Sequence, residues 1–248
     1  MFRNLLTRAS HALPSQCAVC RIWAKERVCT ACQDRFAQTT PRCHGCAIQL
    51  VGANSPTLCG ACISAPLGLD ACLAAVDYAY PWDDIIAQLK FGRGNPAMAG
   101  IAADVMAQQP AIVQALTSAD VVLPLPLSNE RLRQRGFNQS LQIARALPRT
   151  RAWKALAGRQ NLHIDAGLLL RLRDSTPQMQ LLRQQRLANV RGVFAVEPLR
   201  IGQLQGKRVV ILDDVTTTGA TLAAAAQALR LAGAAQVSGV VFAKTPVL

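Results

Sequence analysis

Residues 208–222 read RVVILDDVTTTGATL. Val209 to Leu212 form an unbroken apolar run, as expected of a strand covered on both faces. The run ends in two adjacent acids, Asp213 and Asp214, and then in a turn of threonines and glycine that leads into a helical pattern. Backbone N–H groups of such a turn and of the helix start converge on an anion, and the helix dipole adds to them. Thr217, Thr218 and Thr221 supply hydroxyls, Gly219 permits close backbone approach, and Ala220 lies in the same turn. The lysine of a P-loop is absent, and so is the GxGxxG turn of dinucleotide sites. Two carboxylates beside a phosphate cradle suit vicinal sugar hydroxyls, or a Mg²⁺ that bridges those hydroxyls to a second phosphate. The chemistry points to a ribose 5-phosphate moiety. The plainer alternative is a buried strand followed by a helix with an aspartate cap.

Working outward, strands and helices alternate. Strands are predicted at 72–80, 120–126, 167–172, 208–212 and 237–243, and helices at 82–90, 96–108, 138–147 and 222–231. In the first helix Ile85, Ile86 and Leu89 share one side. Alternation of this kind indicates an α/β fold with a parallel sheet and helices on both faces.

The first 62 residues follow another logic. Eight of the nine cysteines form four CxxC pairs: Cys17/Cys20, Cys29/Cys32, Cys43/Cys46 and Cys59/Cys62. A two-residue spacer turns two thiolates onto one tetrahedral metal, and two such pairs complete a structural site, so eight ligands account for two Zn²⁺. A redox CxxC is the rival reading. The pairs can be grouped sequentially or crossed, and the short loops of eight and twelve residues favour the sequential grouping. With eight thiolates sufficient, His44 is expected to face solvent and Cys72 to be a core residue. Zinc thiolates imply a reducing compartment, hence a cytoplasmic location. Pro66 and Gly68 mark a boundary, which gives a double zinc-ribbon module at 1–68 and an α/β domain at 69–248.

Composition narrows the classes further. The chain has 248 residues, 51% hydrophobic, enough for a sizeable core and against disorder as the main state. No run of apolar residues is long enough to span a membrane, and residues 1–14 read as a short amphipathic helix rather than a signal peptide. The net charge is +13, and 131–191 holds 13 Lys/Arg against two acids. Such a block fits a polyanionic partner or a solvated cationic face.

The motif at 208–222 resembles the phosphoribosyl pyrophosphate motif of type I phosphoribosyltransferases. The chain as a whole resembles the ComF family of competence proteins, which includes ComFC- and GntX-like members. The likeness is carried by the CxxC array, AYPWDDIIAQLKFGRG at 79–94, LPLPLSNERLRQRGFNQS at 123–140, STPQMQLLRQQRLANVRGVF at 175–194 and the phosphate motif. It implies a five-stranded parallel core behind a zinc-ribbon module. Asp213 and Asp214 take the place of the ribose-binding and catalytic acids, and Thr217 to Thr221 that of the 5-phosphate loop. Leu125, Pro126, Leu127 and Ser128 fall where the pyrophosphate loop lies, although many relatives have His at the position of Ser128. Arg135, Asn138 and Gln139 lie in the RGFNQ block and Lys90 in LKF, with contacts that the resemblance leaves open.

Three functional readings follow. The first is a Mg²⁺-dependent phosphoribosyltransferase (a glycosyltransferase) acting on phosphoribosyl pyrophosphate. No base-recognition pocket is legible, so the residues support sugar-phosphate binding more than any named transfer. The second is a DNA-uptake and transformation factor that binds single-stranded DNA through the basic block. With only Phe137 and Trp153 as aromatics in 131–191, the contacts would go to phosphates rather than bases. The third is an adaptor whose zinc ribbons dock on a competence helicase or channel protein.

Overall fold

The computed structural model describes residues 15–52, 57–91, 95–158, 160–172 and 192–246. Two compact units divide it, Met1–Gln38 and Thr39–Leu248. In the smaller unit a two-residue hairpin, β1 (Ser15–Gln16) with β2 (Trp23–Ala24), precedes helix α1 (Thr30–Phe36). The expected helix at 1–14 lies outside the described residues, as do Arg173, Arg183, Arg186, Arg191 and most of the 175–194 block.

The larger unit opens with a cysteine knuckle that ends in helix α2 (Gly60–Ser64). Its sheet consists of β3 (Ala71–Asp77), β4 (Val121–Pro124), β7 (Arg208–Thr216) and β8 (Gln236–Lys244), all parallel, in the order β3-β8-β7-β4. Beyond β4 a single parallel bridge, Val122 to Ile164, stands where a fifth strand would run. The Val122 amide donates to His163 O (2.8 Å), and the Asp165 amide to Val122 O (3.0 Å). The segment predicted as a strand at 167–172 does form one, β5 (Leu169–Arg171), but it pairs antiparallel with β6 (Phe194–Val196) in a hairpin separate from the main sheet.

Between α2 and β7 the described residues form six α-helices: α3 (Trp82–Lys90), α4 (Met98–Met106), α5 (Pro110–Ser118), α6 (Asn129–Arg135), α7 (Gln139–Ala146) and α8 (Arg151–Leu156). α9 (Ala220–Leu231) joins β7 to β8. The pleat divides the core. Val209, Ile211, Val237 and Val241 meet Leu222, Ala225, Ala226 and Leu229 of α9 together with Phe194 and Val196 of the hairpin. The opposite face is covered by α4, α5 and α7, with α3 packed on α4 and the Trp82 ring set edge-on to Phe242 at 5.9 Å. Trp82, Ile85, Ile86 and Leu89 are the buried stripe of α3, at the spacing read from sequence. Helices α5, α6 and α8 were not predicted, yet each carries a start signal: Pro110 at the first position, Ser128 and Thr150 as side-chain caps.

In a parallel sheet the strand ends collect at one edge. From β7 the chain turns back over one face toward β8, whereas β4 leads out to the bridge at 164. The divergence between β4 and β7 is a topological switch point, where α/β sheets open a crevice at their carboxyl ends. Residues 125–128 and 213–219 border it.

Candidate functional site

Asp213 and Asp214 leave β7 on alternating sides and meet different neighbours. Asp213 Oδ1 accepts from Ser140 Oγ (2.9 Å) and from the Asp214 amide (2.9 Å). Burial, and then the adjacent Asp214, push the Asp213 carboxyl up to about 7. Asp214 is buried, and its Oδ2 lies 3.1 Å from Lys90 Nζ, the last residue of α3. That oxygen accepts no hydrogen bond among the described residues, which leaves a buried acceptor turned toward a cation. It suits a sugar hydroxyl or a divalent ion.

The RGFNQS block builds the wall beside the acids. Gly136, at φ 77, ends α6, and Asn138 caps α7 by accepting from the Leu141 amide. Asn138 Nδ2 also donates to Leu125 O (2.9 Å), which ties the block to the loop after β4. Gln139 is buried, donates to Leu89 O and accepts from Arg135 Nη1 (3.1 Å). The Arg135 guanidinium lies 5.9 Å from the Phe91 ring centroid. Burial lowers its pKa, with Asp214 and Asp213 acting against that shift. Ser128 spends its hydroxyl on the Arg131 amide (3.3 Å) as the cap of α6. The Leu125 amide extends the ladder to Leu212 O (2.8 Å), with Pro126 and Leu127 half-buried beyond it.

The threonine-glycine turn closes the other side. Gly219, at φ 80, holds the cap position of α9 and makes no side-chain bond there. Thr218 Oγ1 accepts from the Ala220 amide (3.4 Å), Thr217 is exposed, and Thr221 opens the first turn. The structure thus brings together Asp213, Asp214, Arg135 and the turns at 125–128 and 217–221. It adds three residues that were not assigned from sequence: Ser140 on Asp213, Lys90 on Asp214, and Lys244, whose buried ammonium donates to Thr217 O (2.5 Å). A lysine closing the apolar strand 237–243 was the one signal for the last.

The cysteines form two clusters, Cys17, Cys20, Cys29 and Cys32, and Cys43, Cys46, Cys59 and Cys62, with the sulfurs of each within 4.8 Å of one another. The grouping is sequential. The two repeat each other bond for bond. Cys17 N–H and Cys43 N–H both donate to the carbonyl five residues on (2.8 Å each). The Cys29 and Cys59 amides donate to Cys17 and Cys43 Sγ at 3.3 and 3.2 Å. Arg21 and Ala47, each following the second cysteine of its knuckle, share a positive φ. Gly45 gives Cys62 room, since a Cβ there would lie 2.9 Å from Cys62 Sγ. A tetrahedral zinc with bonds of about 2.3 Å needs sulfurs roughly 3.8 Å apart. Cys20–Cys29 and Cys46–Cys59 stand at 3.6 and 3.7 Å, so the donor sets fit. His44 is exposed and Cys72 is buried outside both clusters, with burial pushing its thiol up to about 12.

No helix among the described residues is long and apolar enough to cross a membrane. Residues 173–247 match the phosphoribosyl transferase domain family. The chain is 30% identical over 237 residues to the DNA utilization protein YhgH of Salmonella typhi, covering 91% of this chain and 95% of that one. It is 24% identical over 217 residues to competence protein F of Haemophilus influenzae, covering 86% and 89%. Among solved structures, a glutamine phosphoribosylpyrophosphate amidotransferase from B. subtilis is 22% identical over 55% of this chain and 26% of its own, with a TM-score of 0.30. The chain belongs to the family of YhgH and competence protein F, the ComF family.

Proposed function

We propose that this member of the ComF family binds phosphoribosyl pyrophosphate together with Mg²⁺ in the crevice between β4 and β7, in a role tied to DNA utilisation. The observation that carries the reading is the acid pair Asp213–Asp214 at the switch point, near the cations Lys90 and Arg135 and the threonine-glycine turn that opens α9. In this reading Asp213 and Asp214 hold the ribose hydroxyls, and Thr217, Thr218, Gly219, Ala220 and Thr221 hold the 5-phosphate. The backbone of Leu125, Pro126, Leu127 and Ser128 faces the pyrophosphate with Arg135. Asp213 and Asp214 are the residues that would hold Mg²⁺, which would supply positive charge to the pyrophosphate. The two Cys₄ clusters hold structural Zn²⁺. Calorimetry with phosphoribosyl pyrophosphate, with and without Mg²⁺, tests the site. Saturable, Mg²⁺-dependent binding supports the reading, and no binding overturns it.

A second reading rests on charge. Arg133, Arg145, Arg149 and Lys154 are all exposed within the basic block. Phosphate contacts from such a surface, and the DNA-linked names of the relatives, favour binding of single-stranded DNA alongside the sugar-phosphate site.

A further inference from the structure

The second cysteine knuckle and the phosphate turn share one small core. Cys43, Cys46 and Cys62 are buried with Leu67, and packed against them are Leu58, Leu69 and Ala223 in the first turn of α9. Leu67 reaches the turn itself, because a Cβ on Gly219 would collide with its Cδ1. Polar links run in parallel. The Cys72 amide donates to His44 O (2.7 Å), and Arg42 binds both Ala47 O (3.1 Å) and the Asp77 carboxylate (2.7 Å) at the end of β3.

Lys244 lies on the same seam. It is 3% exposed, and its Nζ donates to Thr217 O (2.5 Å) and Thr245 O (2.8 Å). The Thr245 amide in turn donates to Thr216 O (2.9 Å). Burial lowers the pKa of the Lys244 ammonium, and negative charge on Cys46, Cys72, Asp77 or Cys59 acts against that shift. Four thiolates around one Zn²⁺ carry a net charge of −2, so a metallated knuckle places negative charge near Lys244, whose ammonium pins the first carbonyl of the phosphate turn.

We propose that the second knuckle is a working part of the sugar-phosphate site. Metal at Cys43, Cys46, Cys59 and Cys62 holds the turn 217–221 in its anion-binding form through two positioning residues, Leu67 and Lys244. Metal occupancy and phosphate-ligand affinity are then coupled, and the coupling is reciprocal. The affinity half of this rests on the proposed binding of phosphoribosyl pyrophosphate, whereas the ordering of the turn does not.

The test uses the full zinc-loaded chain, Lys244→Met, which keeps the length of the side chain and removes its donors, and Leu67→Ala. Hydrogen exchange without ligand comes first. Amides 218–222 should exchange at least ten-fold faster in both variants, while those of Val121 to Leu123 in β4 stay at the wild-type rate. Unchanged exchange at 218–222 overturns the buttress, whatever the ligand. Titration with phosphoribosyl pyrophosphate comes second. Kd should rise at least ten-fold in both variants, and the ligand should slow release of one of two zinc ions to a chromogenic chelator. Wild-type affinity in both variants overturns the coupling. If the wild type binds no phosphoribosyl pyrophosphate, the functional reading falls, and the exchange result alone decides whether the knuckle holds the turn.

Discussion

Asp213 and Asp214 are neighbours in sequence with distinct surroundings, and each makes its own prediction. Among the described residues, Asp214 holds a buried oxygen with no hydrogen bond beside Lys90. Asp214→Ala is expected to weaken phosphoribosyl pyrophosphate binding by about 1.5–3 kcal/mol, the range for a charge-assisted bond, read by calorimetry. Burial, and then Asp214, push the Asp213 carboxyl up to about 7. A carboxyl raised on folding is neutral in the fold while the unfolded chain ionises, so stability falls as pH climbs from about 4 to about 7. Asp213→Asn keeps an acceptor for Ser140 and removes the charge. It should therefore raise Tm over the wild type at pH 8, with the gap closing at pH 4. Thermal melts at the two pH values check this, and a constant offset would contradict the origin given for the shift. The acids were legible from sequence because adjacent aspartates after an apolar strand are a local pattern. Ser140 and Lys90 were not, since their roles depend on helices α7 and α3 arriving at the end of β7.

At the scale of elements, caps and knuckles decide what stays in place. Asn138 does two jobs, capping α7 and holding Leu125 O. Asn138→Ala should cost about 1–2 kcal/mol by denaturant titration, somewhat more than Ser128→Ala, which loses one cap alone. The two Cys₄ knuckles have the same local build but different settings. The first lies in the unit Met1–Gln38, and the second shares a core with α9. Elemental analysis should find two zinc ions per wild-type chain, and one in Cys17→Ser or Cys43→Ser. Cys43→Ser should lower the main unfolding transition, and Cys17→Ser should leave it nearly unmoved. The CxxC spacing disclosed the two sets of four cysteines, and the short loops their grouping. Nothing local disclosed that α9 is the seat of the second.

Across the whole molecule the governing quantity is charge. The net +13 is concentrated in 131–191, where Arg133, Arg145, Arg149 and Lys154 face solvent and Arg171 lies over the Phe194 ring at 5.4 Å. Single-stranded DNA should bind weakly and without sequence preference, with an affinity that falls steeply with salt. Each phosphate neutralised contributes about −0.7 to the log–log slope. Replacing Arg145, Arg149 and Lys154 together with Ala should flatten that slope by about 2, from three lost contacts, while phosphoribosyl pyrophosphate affinity holds. A filter-binding series over salt concentration measures it. No retention of DNA at low salt would leave the block as a solvated or protein-docking face.

The sequence by itself determined the parallel α/β sheet, the threonine-glycine turn after the paired acids and the two sets of four cysteines, because periodicity and CxxC spacing are properties of neighbouring residues. The resemblance implied a five-stranded core, whereas the described residues form four strands in the main sheet with an isolated bridge at Ile164 beside β4, and the strand read at 167–172 pairs in a separate hairpin. Pairing direction and edge position depend on hydrogen bonds between distant segments, and no local pattern encodes them. Tertiary structure alone decided that Lys90 meets Asp214, that Ser140 meets Asp213, and that Leu67 and Lys244 join a cysteine knuckle to a turn more than 150 residues further along the chain. Such contacts form where a sheet brings remote strand ends to one edge, and burial there gives an isolated lysine or leucine a role that its sequence neighbours do not reveal.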